Sequence, residues 1–410
     1  MKNKLNYLRA FIVAIVLFVG IYGITNFEKN ISGEIPNFEA TIPASDLRES
    51  FFAFANEGVT KSKSSIRISS AGDIMTHGTQ IAGAYNSATG EYEFDENFMH
   101  VAKYFKASDI SVANFETVTS GGAPQGYPVF NSPPAILDAI KNAGFNMLGT
   151  ANNHTLDQGK KGLLNTLAEI QNRDINSTGT FAAPEADITV MEAQGIKMGI
   201  LAYTYGLNGL DGYLTTEELD YMVNIIDEDK IRSDIAKAQT QGCDAIVVII
   251  HWGNEYQMSP TEETKKLAEK IFGWGADIIL GSHPHVIQMS EVMEIDGEIK
   301  YVIYSQGNFL SNQRRETLPS IENRNYTEDG VIVHISLEKD PGKNKTVIAS
   351  VSYTPTWVYR YESSGKFKYQ ILPVSEALES GDFTGELLDR LKKSRSNTMS
   401  KMQIYNGDVQ

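Results

Sequence analysis

The sequence predicts a layered α/β fold with buried sheets, and three observations support this fold class. Short apolar runs of strand length recur from Ile66 onward, and helical patterns separate them. The chain of 410 residues is 41% hydrophobic, so it has enough apolar side chains for a sizeable core. Strands that are apolar along most of their length are typical of sheets covered on both faces.

The order of these elements predicts how the chain is divided. The predicted strands are Ile66–Ala71, Ile110–Asn114, Asn146–Thr150, Lys197–Tyr203, Ala245–Ile250, Ile278–Gly281, Lys300–Ser305 and Val331–Leu337. The predicted helices are Pro133–Ala143, Gly159–Gln171, Glu228–Gln241 and Glu262–Gly273. We therefore expect a main domain over residues 66–364. A polar stalk (28–65, with a short helix near 45–56) precedes it, and a helical extension (365–410) follows it.

The first 27 residues predict the compartment. Basic residues precede an uncharged apolar run, Ala10 to Ile24, which with its flanks approaches the minimum of about 17 residues for a spanning helix. This order favours a single-pass anchor in the cell membrane, with the main domain outside the cytoplasm. A cleaved signal peptide is the competing interpretation, although the segment Thr25 to Glu28 offers no small-x-small cleavage site.

The net charge of −15 argues against a broad cationic surface, so nucleic acid is not expected as a partner. Bound divalent cations would reverse the local charge where an anionic substrate has to bind.

The stretch Arg390 to Arg395 is basic; we interpret it as a solvated helix face, and the alternative is a binding patch for a polyanion. The single cysteine, Cys243, is expected to be a small buried residue.

Polar residues that can bind metal follow five of the predicted strands. In chain order they are Asp73; Asn114 and Glu116; Asn152, Asn153 and His154; His251; and His283 and His285. The carboxyl ends of strands in open α/β sheets meet at one edge, where ligands bind. Imidazole, carboxylate and amide groups together suit zinc, manganese, iron or nickel. The pattern therefore predicts a site for divalent metal ions at that edge.

The clearest mark of this site is His283-Pro284-His285. Proline fixes the turn and removes a backbone donor. If the turn is extended, the two imidazoles point the same way but are displaced, so each could serve one of two adjacent metal ions. Two ions about 4 Å apart would clamp a phosphoryl oxygen and generate hydroxide near neutral pH.

Each of these residues also has a structural interpretation when it is taken alone. His251 would be a hydrogen-bonded core histidine, and Asp73 and Asn153 would be turn or cap residues. His100 and His334 lack this context and are expected to be structural. The joint pattern favours a metal site.

A set of short motifs also carries a family resemblance. They are Ala-Gly-Asp-Ile-Met (71–75), Asn-Phe-Glu (114–116), Ala-Asn-Asn-His (151–154), His-Trp-Gly (251–253), Gly-Ser-His-Pro-His-Val (281–286) and Tyr-Ser-Gln-Gly-Asn-Phe (304–309). In order and spacing they resemble the CapA family of poly-γ-glutamate capsule biosynthesis proteins, itself similar to calcineurin-like metallophosphoesterases. The resemblance implies a four-layer α/β/β/α sandwich of metallophosphoesterase type, preceded by the N-terminal transmembrane helix.

The resemblance also implies roles for individual residues. One metal ion would be held by Asp73 and His285, the other by Asn153, His251 and His283, and Glu116 would take the place of a bridging aspartate. His154 would be the general acid or would stabilise the transition state. The residues expected to face substrate or to support the ligands are Asn114, Glu255 and Asn308.

Two departures from the phosphoesterase pattern bear on activity. Met75 stands where the first motif normally has histidine, and His77 could replace it only if the loop bends back. The second motif is Asn-Phe-Glu-Thr instead of Gly-Asp-x-x-Asp. These departures weaken the expectation of hydrolysis more than the expectation of metal binding.

The resemblance implies a component of poly-γ-glutamate synthesis or export. Its expected partners are the membrane, other membrane subunits of a polyglutamate synthase complex and the anionic polymer. The sequence has no Gly-x-x-x-x-Gly-Lys-[Ser/Thr] motif, so the ATP-dependent ligase step is expected in another subunit. The alternatives are a metal-dependent hydrolase at the cell surface and a scaffold with an empty site.

Overall fold

The computed structural model describes residues 64–184, 187–340 and 345–407. Among these residues, the strands are β1 (Ser64–Ile74), β2 (Tyr85–Asn86), β3 (Glu91–Tyr92), β4 (Ile110–Phe115), β5 (Met147–Gly149), β6 (Asn176–Thr178), β7 (Thr189–Ala193), β8 (Ile196–Thr204), β9 (Ala245–His251), β10 (Ile278–Ser282), β11 (Ser290–Ile295), β12 (Glu298–Ile303), β13 (Asn308–Leu310), β14 (Asp329–Asp340), β15 (Lys345–Ser363), β16 (Lys366–Pro373) and β17 (Tyr405–Asn406). The helices are α1 (Gly78–Ala84), α2 (Asp95–Phe98), α3 (Ala102–Lys106), α4 (Ala135–Ala143), α5 (Gly159–Gln171), α6 (Thr216–Met222), α7 (Glu228–Thr240), α8 (Glu262–Trp274), α9 (Val374–Ser380) and α10 (Gly385–Met399).

The predicted anchor (1–27) and nearly all of the predicted stalk lie outside the described residues. Within the described ranges, no helix combines the length and apolar character needed to cross a membrane. The transmembrane helix and the boundaries of the stalk therefore stay predictions.

Two large sheets form the frame of the mixed α/β fold. In the nine-stranded sheet the strand order is β16-β15-β14-β1-β4-β5-β6, with β13 paired to β1 and β17 paired to β15. In the six-stranded sheet the order is β11-β12-β10-β9-β8-β7. The run β1-β4-β5-β6 is parallel, and so is the run β12-β10-β9-β8.

Apolar side chains on alternate strand positions build three core layers. In β9, Val247 and Ile249 face a core shared with strands of the nine-stranded sheet, such as β1 and β4. Ile246, Val248 and Ile250 face the opposite way and pack with residues of α7 and α8. The other face of the nine-stranded sheet packs against α2, α3 and α4. Because strand side chains alternate between faces, one apolar run fills two cores at once.

Capping residues set the limits of the helices that cover the six-stranded sheet. The Asp227 side chain accepts a hydrogen bond from the Lys230 N–H at the start of α7, and Thr261 accepts one from the Thr264 N–H at the start of α8. Gly275 ends α8 in the left-handed conformation, with φ at 115°. These caps satisfy backbone groups that a helix end leaves unpaired.

All eight predicted strands and all four predicted helices are present, with ends that coincide or differ by at most three residues. The predicted helical extension from residue 365 starts differently, because Lys366–Pro373 form β16 and pair with β15. Tyr369 and Ile371 of β16 are buried against the helices of the nine-stranded sheet. This part of the C-terminal segment therefore belongs to the sheet, and α9 and α10 follow it.

Candidate metal centre

The predicted site residues lie where the carboxyl ends of parallel strands from both sheets meet. Asp73 lies near the end of β1, Glu116 directly follows β4, and His154 follows β5. From the other sheet, His251 ends β9 and His283 directly follows β10. This convergence explains why residues far apart in sequence form one cluster.

Two motif glycines allow the backbone to approach closely at this edge. A Cβ atom on Gly72 would lie 2.0 Å from the Gly307 carbonyl oxygen, and one on Gly281 would lie 2.1 Å from the Tyr304 carbonyl oxygen. The close approach lets the Asp73 N–H donate to the Gly307 carbonyl at 3.0 Å. There is no room for a side chain at Gly72 or at Gly281, so glycine is required next to Asp73 and two residues before His283.

Glu116 lies at the centre of the cluster. Its Oε1 atom is 3.5 Å from His251 Nε2 and 3.8 Å from His285 Nε2. Two groups have ligand atoms within 4.8 Å of one another: Glu116 with His283 and His285, and Asp73 with Glu116 and His251. Glu116 is common to both groups, which is the position that the resemblance implies for a bridging carboxylate. The pairing of the other ligands with one or the other ion stays a prediction.

Hydrogen bonds fix the Asp73 carboxylate. Asn114 Nδ2 donates to Asp73 Oδ1 at 2.8 Å, and the His283 N–H donates to Oδ2 at 3.4 Å. The same Oδ2 atom lies 3.3 Å from His285 Nδ1. Asn114 therefore orients a carboxylate of the cluster, as expected for a supporting residue.

The expectation of an extended His-Pro-His turn is wrong. His283 and His285 both have positive φ values, 95° and 57°. Such values cost about 1–3 kcal/mol for residues other than glycine, so packing must impose them. The two rings nevertheless stay apart, with centroids separated by 5.9 Å and planes inclined by 63°. Two nearby imidazoles thus face the cluster from one tight turn.

Burial drives the charged groups of the cluster toward neutrality. It raises the pKa of Glu116 well above its usual range, and the nearby carboxylates of Asp73 and Glu255 raise it further. Burial also lowers the pKa of His251 well below its usual range and that of His283 to about 3, and neighbouring histidines add to both effects. The cluster therefore favours neutral imidazoles, the form that binds metal.

The donor set fits a divalent metal ion on two further observations. Both Glu116 oxygens and His283 Nδ1 are buried and have no hydrogen-bond partner among the described residues. Buried polar atoms are normally paired, since an unpaired group costs about 1–3 kcal/mol. Within the same part of the chain, no lysine or arginine forms an ion pair with Glu116. A cation coordinated by these atoms would satisfy all three.

In both His251 and His285, one ring nitrogen contacts a supporting residue and the other faces the cluster. His251 Nδ1 lies 2.9 Å from the Ser282 hydroxyl, while its Nε2 lies 2.9 Å from the Asn153 amide oxygen. His285 Nδ1 lies 3.1 Å from the Asn308 amide oxygen, and its Nε2 faces Glu116. Such contacts fix the tautomer of a metal-binding histidine. Asn153 and Asn308 thus lie where the sequence predicted, one at the cluster and one behind it.

A cavity of about 300 Å³ borders the cluster. Among its lining residues are His154, His285, Tyr256 and Glu255. His154 Nδ1 lies 2.8 Å from Asp157 Oδ2, and that oxygen also accepts the Phe130 N–H at 2.6 Å. With Nδ1 held by Asp157, His154 Nε2 is the nitrogen left to exchange a proton with a molecule in the cavity.

His77 and Met75 also line this cavity, and the Met75 sulfur contacts the Ser311 hydroxyl. The His77 Nδ1 atom accepts the Asn312 N–H at 3.2 Å. Burial lowers the pKa of His77 to about 4, and nearby His285 and His154 contribute. His77 therefore lies beside the cluster, but it belongs to neither of the two ligand groups.

The structure adds two residues that the sequence analysis missed. The Tyr205 ring lies over the cluster, with its centroid 4.5 Å from that of His283, and it directly follows β8. Asp157 is the buried partner of His154. Both residues could have been identified from the sequence, since Tyr205 follows a predicted strand and Asp157 lies three residues after His154. Predicted Glu255 is half-exposed at the rim, with Oε1 4.0 Å from His285 Nε2.

The fold and the cluster together define a class: a mixed α/β protein with a buried histidine–carboxylate centre suited to divalent metal ions. Comparison with known families is more specific. The model of the bacterial capsule synthesis protein family PGA_cap matches residues 67–313, more than half of the chain, and the chain belongs to this family. The predicted CapA resemblance is thereby confirmed.

Two curated relatives carry the same family name. The capsule biosynthesis protein CapA of Bacillus anthracis is 30% identical over 255 residues, which are 59% of this chain and 59% of that protein. The chain thus spans less than two thirds of that relative's length. The PGA biosynthesis protein CapA of Bacillus subtilis is 27% identical over 343 residues, covering 76% of this chain and 84% of that protein.

Solved structures similar to this chain include two described as phosphatase or phosphoesterase. A novel phosphatase from Mycoplasma pneumoniae aligns with a TM-score of 0.42 and 17% identity, over 71% of this chain and 93% of that one. The calcineurin-like phosphoesterase YfkN from Bacillus subtilis aligns with a TM-score of 0.42 and 15% identity, over 82% of this chain and 98% of that one.

Proposed function

We propose that this protein is a membrane-anchored, extracytoplasmic component of poly-γ-glutamate capsule synthesis or export, and that it binds two divalent metal ions. Family membership supports the capsule role, and the relatives named for capsule and PGA biosynthesis agree with it. One observation carries the metal site: Glu116 is fully buried and has no hydrogen-bond partner among the described residues, while histidines surround it.

The membrane placement rests on residues 1–27. Basic residues followed by the apolar run Ala10 to Ile24 favour an anchor with the remainder of the chain outside the cytoplasm. The main domain, for which we propose the four-layer metallophosphoesterase-type sandwich, would then meet the polymer as it leaves the membrane synthase subunits. Fractionation that recovers the intact protein only from the soluble cytoplasmic pool would contradict this placement.

Two ligand groups that share Glu116 support two ions, which would be manganese, zinc or iron. The resemblance implies that Asp73 and His285 hold one ion and that Asn153, His251 and His283 hold the other. The distances between ligand atoms group the residues differently, with His283 beside His285 and Asp73 beside His251. When bound, the ions would attract carboxylate or phosphoryl oxygens and lower the pKa of a bound water. The acidic chain would thereby gain a local positive site for an anionic ligand.

Three variants test the capsule role and the metal site together. His283→Ala and His251→Ala remove candidate ligands, and His100→Ala is the control because this histidine lies away from the cluster and is only partly buried. In a producing strain we expect the first two to lose polymer output and stoichiometric metal, and His100→Ala to retain both. Unchanged polymer output in a strain from which the gene is deleted would reject the capsule role.

A metal-dependent hydrolase is the second candidate, and the hydrogen bond between His154 and Asp157 beside the 300 Å³ cavity favours it. Asp157 would hold the imidazole so that His154 Nε2 can give a proton to a leaving group. A generic phosphodiester assay on the metal-loaded protein tests this candidate. Turnover that Asp157→Asn reduces about 100-fold or more favours the enzyme, and bound metal without turnover favours a binding role.

A further inference from the structure

A second cavity, of about 480 Å³, lies along α10. Its lining includes Arg315, Asp329, Arg390, Lys393 and Asn397, and none of the candidate metal ligands. We call it the α10 cavity. Its volume falls within the range of about 300–1,000 Å³ that is usual for ligand pockets.

One face of α10 forms the wall of this cavity. Arg390, Lys393, Ser394 and Asn397 line it and follow the helical spacing of three, four and seven residues. Lys392 and Arg395 are exposed and do not line it. The basic stretch therefore divides into residues that line the cavity, among them the exposed Lys393, and exposed residues that do not line it.

Internal ion pairs hold the two arginines in place. Arg390 Nη1 lies 2.9 Å from Glu316 Oε1, and Arg390 Nη2 lies 2.6 Å from Glu386 Oε1. Arg315 donates through Nε and Nη2 to the buried Glu328 carboxylate. Fixed guanidinium groups lose little side-chain entropy when they bind a carboxylate or phosphate.

The cavity also contains donors that the protein does not use. In the described residues, Lys393 has no ion pair and Arg315 Nη1 has no hydrogen bond. The Ser394 hydroxyl is buried and makes no hydrogen bond of normal geometry, although it lies near the Asp329 carboxyl. Asp329 itself accepts a hydrogen bond from Asn397 Nδ2 at 2.8 Å. A site rich in free donors, on a chain with net charge −15, fits an anion.

We propose that the α10 cavity binds carboxylate groups of an extended anionic polymer, separately from the metal centre. This inference rests on the proposed capsule function, which supplies a polymer with regularly spaced carboxylates. Lys393 and Arg315 would pair with successive carboxylates, and the serine and asparagine side chains would contact the amide groups between them. The site would hold the chain while another segment lies at the metal centre.

The test compares two charge reversals on adjacent residues of the purified full-length protein. Lys393→Glu reverses a charge at the cavity, and Lys392→Glu makes the same change in net charge on the solvent face of the same helix. With a fluorescent poly-γ-glutamate fragment as the probe, we expect Lys393→Glu to weaken binding about tenfold and Lys392→Glu to weaken it less than about twofold. Equal effects of the two variants, or no binding by the unmodified protein, would overturn the proposal.

Two further measurements distinguish polymer binding at the α10 cavity from binding at the metal centre and from binding of lipid. The comparison of Lys393→Glu with Lys392→Glu is repeated in protein treated with a chelator, where the metal centre cannot contribute to binding, and we expect the difference between the two variants to persist. Phosphatidylglycerol vesicles and inorganic phosphate serve as competing ligands. Vesicle binding that depends on Lys393 in the absence of polymer binding would assign the cavity to lipid headgroups and reject the polymer. Polymer output from a strain that lacks the gene tests the capsule role independently of these binding measurements.

Discussion

Glu116 and Glu328 are both completely buried carboxylates, and their surroundings differ in one respect. Glu328 Oε1 lies 2.7 Å from Arg314 Nη2, and Glu328 Oε2 lies 2.6 Å from Arg315 Nη2. Glu116 has histidines as its neighbours, with His251 Nε2 at 3.5 Å and His285 Nε2 at 3.8 Å, and burial lowers the pKa of His251 well below its usual range. The chain supplies the counter-charge for Glu328 and leaves the one for Glu116 to a bound cation.

The comparison separates a structural carboxylate from a functional one. A buried charge is tolerated when it is paired, as Glu328 is by Arg314 and Arg315, and Arg315 also donates hydrogen bonds to its Oε2 atom. A buried carboxylate that lacks partners is costly unless something outside the polypeptide binds it. The same substitution should therefore destabilise the protein strongly at Glu328 and hardly at all at Glu116.

The largest expected effect is on folding. Glu328→Gln leaves two arginines without their carboxylate, so we expect it to lower the free energy of unfolding by about 3–5 kcal/mol. Glu116→Gln in metal-free protein should change it by less than about 1 kcal/mol, because burial already keeps this carboxyl protonated. Urea denaturation of both variants measures the difference. Comparable destabilisation would show that Glu116 has a structural role like that of Glu328.

Removing metal should have the next largest effect. A ligand present at 100 to 1,000 times its Kd stabilises the folded state by about 3–4 kcal/mol. We therefore expect a chelator to lower the melting temperature of the protein, and Glu116→Gln and His283→Ala to abolish that response. Differential scanning calorimetry with and without chelator provides the measurement; a chelator response that persists in both variants would place the metal elsewhere.

The residues behind the ligands should contribute less than the ligands. Asn308→Ala removes the amide oxygen 3.1 Å from His285 Nδ1, and we expect a loss of metal affinity of about 10- to 100-fold with the fold retained. Isothermal titration with Mn²⁺ or Zn²⁺ measures it. The control is Asn325→Ala, since Asn325 lines the α10 cavity instead, and it should leave metal affinity unchanged.

The effect expected to be smallest near neutral pH is a pH dependence at Asp329. Burial raises the pKa of Asp329 to about 7, although the hydrogen bond from Asn397 and the nearby Ser394 hydroxyl oppose the shift. The folded state then holds a proton that the unfolded chain releases above about pH 4, so this contribution to stability is lost as the pH rises from about 4 to 7. Relative to Asp329→Asn, the unmodified protein should lose stability across that window, by up to about 4 kcal/mol for a pKa raised from about 4 to about 7. If the free energy of unfolding has the same pH dependence in both proteins, Asp329 does not titrate in this window.

The sequence predicted most of the parallel strands and missed the antiparallel strands β15 and β16. Strands such as β9 are apolar along their whole length because both faces are covered, and that run is visible without a structure. In β15, buried and half-exposed residues are mixed along 19 positions, so it has no comparable signal. In β16 the alternation of Phe367, Tyr369 and Ile371 does predict a strand, and the helical character of the residues after it obscured that pattern.

The features of the site also divide into those that the sequence pattern predicted and those that it did not. His251, His283 and Asp73 follow predictable strands, so the convergence of strand ends was sufficient to group them. The positive φ values of His283 and His285 could not be predicted, because the packing of the surrounding strands imposes them. Tyr205 was missed because a tyrosine after a strand is more often a packing residue than part of a metal centre.

Anomalous diffraction from crystals of the full-length protein grown with Mn²⁺ tests most directly whether Glu116 binds a cation. We expect a peak within about 2–2.3 Å of the Glu116 carboxylate and of at least one of His251, His283 and His285. A second peak about 4 Å away would establish the two-ion centre. Ordered density that shows Glu116 without an ion at millimolar Mn²⁺ would contradict the conclusion that this carboxylate awaits a cation.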